Sequence, residues 1–226
     1  MADDPAFPDP DSALVLEPGC ERCPDLAACR NRIAWGNGPE DAEVLVVGEA
    51  PGAGIPDADC SDAGRPSPAS DKWRGGNWTG LAYTAQHSGR RIRETMAAVG
   101  YPDAFFTNAV KCFPADPDDP STNREPTAAE RENCRDHLRT EIDHVDPDAV
   151  VATGKHAAAS MLAFEDRTVD GFVDSVLEPV RLDSLDVMLV PILHPAYRDV
   201  WLSRLGYDRE AYLDDLRTVL DAAVEG

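Results

Sequence analysis

Apolar residues are concentrated in four short runs along the chain, and each run is long enough for one strand. The runs are AEVLVVGEA, AFFTNAVKC, AVVATG and VMLVPILHP, at residues 42–50, 104–112, 149–154 and 187–195. Runs without polar alternation are typical of strands that are buried on both faces of a sheet. We therefore predict four buried strands, the last of which is interrupted by Pro191.

Helical patterns lie between and after these runs. Thr127 and Glu130 have the spacing of a capping box, which marks the start of a helix, and Gly100 is a typical C-terminal stop. The predicted helices cover 81–100, 127–145, a short segment from Lys155, 198–205 and 208–223. Because strands and helices alternate, we predict an α/β fold, a three-layer sandwich around a mostly parallel four-stranded sheet.

The chain length of 226 residues suits one compact domain. Residues 1–18 are acidic and broken by proline, so we predict a flexible or loosely docked tail there and a single domain at 19–226. Residues 51–77 are rich in glycine, proline and aspartate. They form a connection that is long enough to indicate a functional or mobile segment.

Three polar segments lie at the ends of predicted strands, namely GEAPG at 48–52, TNAVKC at 107–112 and HPAY at 194–197. Ligands of parallel α/β sheets bind at the carboxyl ends of the strands, so these segments form the candidate site. GEAPG by itself resembles a phosphate-binding loop. It lacks both the Walker lysine and the glycine spacing of a dinucleotide fingerprint.

The formal net charge of −21 argues against an ordinary basic nucleic-acid binder. Lysine occurs only at positions 72, 111 and 155, and aspartate outnumbers glutamate, which is typical of proteins adapted to concentrated salt. At about 1 M salt the Debye length is about 3 Å, which screens repulsion from DNA. We therefore predict a halophilic protein whose acidity reflects its solvent and leaves DNA open as a partner.

The N-terminal residues lack the positive region and the apolar core of a secretory signal, and no apolar run reaches membrane-spanning length. We expect a cytoplasmic monomer with no membrane partner. In that compartment six cysteines indicate metal ligation or burial rather than disulfides.

Four of the cysteines are candidate metal ligands. Cys20 and Cys23 form a C-x₂-C pair, and Cys134 lies on a predicted helix face that points inward. Together with Cys112, they suit an iron–sulfur cluster or zinc. The alternative is that Cys112 and Cys134 are small buried apolar residues. Cys29 is a possible substitute for Cys23 as a ligand, whereas Cys60 lies in a polar loop and is expected to be incidental.

Four stretches, in this order over roughly residues 18–200, resemble the iron–sulfur (family 4) uracil-DNA glycosylases and their relatives. They are CERC…R…GNG, VLVVGEAPG, TNAVKCFP…NREPTAAERENC and LHPAY. The resemblance implies that DNA is the partner and that the protein flips out uracil, or a related deaminated base, and hydrolyses its N-glycosidic bond. It also implies a structural [4Fe–4S] cluster, with zinc as the less expected occupant. The implied metal ligands are Cys20, Cys23, Cys112 and Cys134.

The resemblance places Asn108 in the base pocket. Uracil presents an acceptor at O4 and a donor at N3, and one fixed carboxamide satisfies both. Cytosine presents a donor to the amide donor instead, and an unpaired group costs about 1–3 kcal/mol. Without the resemblance, a side chain that caps its own loop is the favoured interpretation of Asn108.

The resemblance also assigns catalytic roles. His194 is expected beside uracil O2, where it stabilises the negative charge that develops on the leaving base. Glu49 is expected to polarise water or to position the sugar and phosphate. The substrate-binding residues implied in the same loop are Gly48, Ala50, Pro51 and Gly52.

The segment after GEAPG departs from the family pattern. Carboxylates directly follow this motif in the family, whereas here the nearest are Asp57, Asp59 and Asp62, so Asp57 and Asp59 become candidate catalytic residues. Ser67 stands where the family has a phenylalanine that stacks on uracil. We predict that Trp78 takes the stacking role, the alternative being that it packs beneath the loop.

Ala196 replaces the serine that follows the His-Pro pair in the family. Tyr197 and Arg198 are predicted to probe the minor groove of DNA, where an inserted side chain helps to hold a base flipped. Arg90 and Arg91 are predicted phosphate contacts, with a solvated helix face as the alternative.

A DNA repair glycosylase is thus the leading functional hypothesis. A noncatalytic nucleic-acid-binding module with a structural metal cluster is the alternative. A redox or cluster-sensing protein is a third possibility, to which only the spare Cys60 points.

Overall fold

The computed structural model of the chain describes residues 5–55 and 72–226. The strands are Ala13–Leu14 (β1), Gly36–Asn37 (β2), Val44–Gly48 (β3), Phe105–Asn108 (β4), Ala149–Thr153 (β5), Val180–Leu182 (β6) and Val187–Ile192 (β7). They form one sheet in the order β1-β2-β4-β3-β5-β7-β6. The four strands β4, β3, β5 and β7 are parallel neighbours, and the outer strands pair antiparallel.

The parallel centre of the sheet confirms the α/β prediction and consists of the four predicted strands. The prediction of a four-stranded sheet is wrong, because the sheet has seven strands among the described residues alone. The additional strands β1, β2 and β6 contain only two or three residues each. Such short segments carry no apolar run of their own and become strands only by pairing with an existing edge.

Strand β7 continues through Pro191, contrary to the predicted interruption. The carbonyl of Pro191 accepts a hydrogen bond from the Leu177 N–H at 2.9 Å, so the nitrogen of Pro191 faces the same side of the strand. On that side β6 pairs only with residues 187–189. No ladder hydrogen bond therefore requires an N–H at position 191.

The helices are Pro24–Cys29 (α1), Gly76–Thr79 (α2), Ser88–Ala98 (α3), Ala128–Val145 (α4), Lys155–Leu162 (α5), Arg198–Leu205 (α6) and Arg209–Glu225 (α7). The capping box of Thr127 and Glu130 is confirmed, since both reciprocal hydrogen bonds are present. The helix predicted at 81–100 begins only at Ser88. Tyr83 has a φ of 53°, a left-handed conformation that a right-handed helix cannot include.

Alternating side chains of the central strands feed two cores on opposite faces of the sheet. Leu45 and Val47 of β3 join the core beneath α4 and α5. Val44 and Val46 join the core beneath α3 and α7. The result is the predicted three-layer arrangement, in which the sheet lies between two layers of helices.

Part of the predicted N-terminal tail has regular structure. Pro10–Ser12 forms a 3₁₀ turn, and Ala13 and Leu14 pair with Asn37 and Gly36 at the edge of the sheet. Among the described helices, none combines the length and the apolar character that are needed to cross a membrane.

Candidate active site and metal centre

Two connected cavities lie at the carboxyl ends of the parallel strands. The smaller, of about 90 Å³, is lined by Gly48, Asn108 and Tyr83, among others. The larger is an open cleft of about 820 Å³. Glu49 and His194 line both cavities, so the structure brings together the three segments that were predicted to form a site.

Asn108 is the last residue of β4, and only 4% of it is exposed. Among the described residues, its side-chain amide has no hydrogen-bond partner, so the donor and the acceptor remain available to a ligand. Gly48 permits this placement, because a Cβ atom there would lie 2.4 Å from Asn108 Oδ1 and 2.6 Å from the Tyr83 hydroxyl. The amide therefore projects into the small cavity directly above the end of β3.

A buried ion pair holds the backbone of Asn108. The ammonium of Lys111 donates to the Asn108 carbonyl at 2.6 Å, to Thr107 Oγ1 at 2.7 Å and to Glu141 Oε2 at 2.5 Å. The other oxygen of Glu141 accepts from the Gly36 N–H at 3.1 Å. Because both charged groups have several partners, the pair fixes the end of β4 against helix α4. The sequence does not predict this pair, since nothing in the spacing of the two residues indicates it.

His194 follows β7 and presents a neutral imidazole to the site. Its Nδ1 accepts a hydrogen bond from the Ala196 N–H at 3.2 Å, which leaves the ring proton on Nε2. Burial lowers the pKa of His194, and the positive charge of nearby His156 lowers it further. The side chain is thus a fixed neutral donor, and the backbone contact that orients it does not need the serine that Ala196 replaces.

Glu49 carries the only buried carboxylate oxygen, among the described residues, that has no hydrogen-bond partner. Burial raises the pKa of Glu49, the positive charges of His156 and Arg131 lower it in part, and the carboxylate of Glu125 raises it. His156 is itself paired with Glu125, with 3.0 Å between Nε2 and Oε1. An unpartnered buried carboxyl at a cavity wall, with a perturbed pKa, is a candidate for proton or water chemistry.

Tyr83 provides the aromatic wall of the small cavity, a role that the sequence does not predict. Its hydroxyl lies 2.5 Å from Thr153 Oγ1, its ring packs edge-on against Phe106 at 5.9 Å, and burial raises its pKa. The left-handed backbone at Tyr83 places the ring there. The sequence predicts a helix over the LAYT segment, so its pattern does not indicate Tyr83 as a site residue.

Trp78, the predicted stacking residue, lines neither cavity among the described residues. Its indole N–H donates to the Ala53 carbonyl at 2.9 Å, and the guanidinium of Arg74 lies 5.7 Å from its ring centre. This position agrees with the alternative interpretation, in which Trp78 packs beneath the loop. Ala50, Pro51 and Gly52 do line the small cavity.

Several predictions fall outside the described residues. They concern Asp57, Asp59, Asp62, Ser67 and Cys60.

Of the predicted DNA contacts, Tyr197 is at the rim of the large cleft. It is 63% exposed, and its ring centre lies 5.6 Å from that of His194. Arg198, in contrast, is only 4% exposed and donates to Thr95 Oγ1 at 2.9 Å. The structure therefore does not bring Arg198 to the surface where DNA could reach it.

Arg90 and Arg91 line neither cavity. The guanidinium of Arg90 lies 5.8 Å from the ring centre of Trp73, and that of Arg91 donates to the Pro195 carbonyl at 3.4 Å. Arg91 thus supports the segment that carries His194.

The four predicted metal ligands converge at the other end of the Asn108–Cys112 segment. Cys20, Cys112 and Cys134 are buried and Cys23 is half-buried, in a small apolar cluster that also contains Trp35. Burial raises the pKa of Cys112 to about 11; Arg30 opposes this shift, whereas Cys134 and Cys20 add to it. The Arg30 guanidinium donates to Cys112 Sγ at 3.4 Å.

Helix α4 and the segment after β4 meet at this cluster. Burial raises the pKa of Cys134, and the nearby backbone and positive charge of Lys111 lower it in part. Cys29 packs against the same cluster, and its thiol donates to the Phe113 carbonyl at 3.2 Å.

A further possible metal group adjoins the four sulfurs. Ligand atoms of Glu17, Cys20 and His137 lie within 4.8 Å of one another. Glu17 and His137 were not singled out in the sequence, because neither belongs to a spaced motif with the cysteines.

The comparisons with known proteins identify the family. A model of the uracil DNA glycosylase superfamily matches residues 35–217. The chain belongs to this superfamily. It is 30% identical to a type-4 uracil-DNA glycosylase of Archaeoglobus fulgidus over 78% of this chain and 76% of the relative. It is 31% identical to a type-4 enzyme of Thermotoga maritima (79% and 77%) and 27% identical to a type-5 uracil-DNA glycosylase of Pyrobaculum aerophilum (82% and 82%).

Proposed function

We propose that the protein hydrolyses the N-glycosidic bond of uracil, or of a related deaminated base, in DNA. The observation that carries this proposal is the unpartnered amide of Asn108 in a cavity of about 90 Å³ that Glu49 and His194 also line. The names of the relatives support it, since these proteins are uracil-DNA glycosylases. The product would be free uracil and an abasic site.

Base recognition follows from the cavity. A base that is extruded from the duplex enters the cavity and presents its Watson–Crick edge to Asn108. The amide pairs with the acceptor O4 and the donor N3–H of uracil, whereas the amino group of cytosine leaves a donor unpaired. Tyr83 supplies an aromatic wall for the base. Tyr197, exposed at the rim, is placed to enter the gap that the base leaves in the stack.

Bond cleavage uses the two other groups. As the bond between C1′ of the sugar and N1 of the base breaks, the electron pair stays on the base, and the Nε2–H of His194 donates to its oxygen O2. A neutral imidazole stabilises this anion as a fixed dipole. Glu49 orients a water, whose oxygen bonds to C1′ while its proton passes to the Glu49 carboxylate. The carboxylate also stabilises the positive charge on the sugar.

The cysteine site fits the proposed [4Fe–4S] cluster. Tetrahedral zinc with four thiolates requires sulfurs about 3.8 Å apart, from Zn–S bonds of about 2.3 Å. Among the described residues, however, no three of the four sulfurs lie within 4.8 Å of one another. The wider spacing and the apolar surroundings favour a larger group, held by Cys20, Cys23, Cys112 and Cys134. When bound, the cluster supplies cross-links between the N-terminal segment, the end of β4 and α4.

Free thiols also fit the cytoplasmic location that we propose. The five described cysteines form no disulfide with one another.

The test is release of uracil from a labelled oligonucleotide that contains a single uracil, with alkaline cleavage of the abasic site as the readout. Asn108→Ala is compared with the wild type, and Asn31→Ala, at an exposed position, is the matched control. We expect the wild type and Asn31→Ala to cut and Asn108→Ala to lose most of its activity. A wild type that binds the DNA without cutting it would refute the proposal and favour a noncatalytic DNA-binding module.

A further inference from the structure

A second cleft, of about 410 Å³, lies between helices α4 and α5 and is lined by basic side chains. The cations are Arg131, Arg135, Lys155 and Arg167, and Glu132 is the only acidic residue of the lining among the described residues. The whole chain, in contrast, has 42 acidic and 21 basic residues. The lining therefore reverses the charge balance of the rest of the molecule.

The cations retain hydrogen-bond donors that can bind an anion. Arg135 pairs with Glu132 at 2.6 Å, and Arg167 pairs with Glu165 at 3.4 Å. A guanidinium has five N–H donors, so one carboxylate partner leaves the others available. Lys155 has no ion pair within the described part of the chain.

This basic cleft is continuous with the large active-site cleft. Lys155 and Val169 line both. Ala109, at the base of the basic cleft, directly follows Asn108 in the chain. From Lys155 to Ala163 the cleft follows α5 over a distance of about 12 Å, at a rise of about 1.5 Å per residue.

We propose that the basic cleft binds the phosphates of the DNA strand that flanks the extruded nucleotide. This inference rests on the proposed function insofar as DNA is the substrate. Phosphates of one strand follow one another at about 3.4 Å along the helix axis, so a cleft of about 12 Å accommodates roughly three. Four cations arranged along the cleft match such a row.

The negative net charge of the molecule makes this basic cleft important for DNA binding. A chain of net charge −21 repels a polyanion over most of its surface. Binding therefore requires a place where the sign is reversed next to the base pocket, and the basic cleft meets both conditions. Arginine suits it, because its planar fork contacts two phosphate oxygens at once.

The test is the salt dependence of DNA binding. The variant Arg135→Gln/Arg167→Gln removes two cleft cations, and Arg209→Gln/Arg217→Gln removes two cations from exposed positions on α7, in the opposite helix layer. Both variants change the net charge equally. Binding is measured by fluorescence anisotropy over a series of KCl concentrations. The labelled duplex has thymine at every position where uracil could stand, so that no base is excised.

We expect the cleft variant to bind at least about tenfold more weakly at low salt, and its plot of log K against log [KCl] to be shallower by about 1.8, from about 0.9 for each lost phosphate contact. The α7 variant should match the wild type. The charge-conserving variant Arg135→Lys/Arg167→Lys should keep the wild-type slope. Thermal unfolding of all four proteins identifies any variant that has lost its fold. If the cleft variant has, the salt slope of the folded lysine variant decides whether the cleft cations bind DNA.

Equal losses in the cleft and α7 variants would overturn the proposal, since net charge alone would then explain them. An unchanged slope in the cleft variant would overturn it as well. Uracil release by the wild type is assayed separately on uracil-containing DNA. The binding experiment contains no uracil, so it tests phosphate binding by the basic cleft separately from uracil excision. Failure of one proposal can therefore be told from failure of the other.

Discussion

The ammonium of Lys111 and the carboxylate of Glu141 lie 2.5 Å apart, and each side chain is at most 1% exposed. This ion pair joins the segment after β4 to the middle of α4, directly behind Asn108. A pair in this position has to be satisfied completely, because an isolated buried charge is very costly. It is satisfied here through Thr107, the Asn108 carbonyl and the Gly36 N–H.

Removal of one partner should therefore cost more than removal of both. We expect Lys111→Met and Glu141→Leu each to lower the free energy of unfolding by about 3–5 kcal/mol. The double variant should lose less than the sum of the two, because neither charge is left alone. Urea denaturation of the four proteins measures this cycle, and strict additivity would contradict a coupled pair.

Gly48→Ala should disable base recognition through steric contact alone. The new Cβ would lie 2.4 Å from Asn108 Oδ1 and 2.6 Å from the Tyr83 hydroxyl, so both side chains have to move. We expect a loss of stability of about 1–3 kcal/mol and a loss of excision that approaches that of Asn108→Ala. Gly19→Ala is the matched control, since nothing lies within 4 Å of a Cβ there and Gly19 lines neither cavity. Normal excision by Gly48→Ala would show that the amide is not confined as described.

His194→Ala should lower the single-turnover excision rate by about 10²–10³-fold, the usual cost of one donor to a developing anion. His194→Gln retains an N–H donor and should recover part of this loss. Because the pKa of His194 is lowered, its imidazole is neutral at neutral pH, and charging of this ring should affect the rate only below its ordinary pKa. Chemical shifts of the imidazole carbons against pH would detect a charged ring if this description were wrong.

The excision rate should fall as the pH falls through the raised pKa of Glu49, since the protonated carboxyl no longer orients water as a base. His156 lowers this pKa and Glu125 raises it. His156→Ala should therefore move the acidic limb of the rate profile to higher pH, and Glu125→Gln should move it to lower pH. Glu49→Gln should remove this limb and reduce the rate by about 10²–10⁴-fold. Shifts of equal sign in the two neighbour variants would contradict the assignment to Glu49.

Glu49 is also expected to oppose folding. Its folded-state pKa is raised above the unfolded value, so the folded protein is favoured by protonation and loses that contribution as the pH rises through the folded pKa. At neutral pH the neutral variant Glu49→Gln should unfold at a higher urea concentration than the wild type. A less stable variant would show that the carboxylate has a partner that the described residues do not include.

Protein that is purified without air should be yellow-brown and contain about four iron atoms per chain. Cys112→Ala and Cys134→Ala should lose the iron. Cys29→Ala should keep it, because the Cys29 thiol donates a hydrogen bond to the Phe113 carbonyl. Stoichiometric zinc in the anaerobic protein would refute the cluster assignment.

The central fold was predictable because its signals are local. Four uninterrupted apolar runs predicted the four parallel strands, and the Thr127–Glu130 spacing predicted the start of α4. The edge strands β1, β2 and β6 were not predictable, since they depend on pairing with distant residues. Tyr83 was missed for a similar reason. Its left-handed backbone accompanies tertiary contacts, such as the hydrogen bond between its hydroxyl and Thr153. No local sequence pattern indicates these contacts.

A site residue was predictable where it lies in a recognisable motif. It was not predictable where tertiary packing determines the position of its side chain. Asn108, Glu49 and His194 stand in recognisable segments and meet at one cavity. Arg198 stands in such a segment too, but its guanidinium is buried against Thr95. Trp78 is predicted to stack on the base from its ring and its place before a glycine in NWTG, but its indole N–H binds the Ala53 carbonyl instead.

Asn108 and Cys112 belong to one short segment, and the ammonium of Lys111, between them, donates to the Asn108 carbonyl. The proposed base-selecting residue therefore shares one short stretch of backbone with a proposed ligand of the cluster. We expect oxidative loss of the proposed cluster to displace Asn108 and so to inactivate the protein rather than to relax its choice of base. For an enzyme that breaks bonds in the genome, inactivity is the less harmful way to fail.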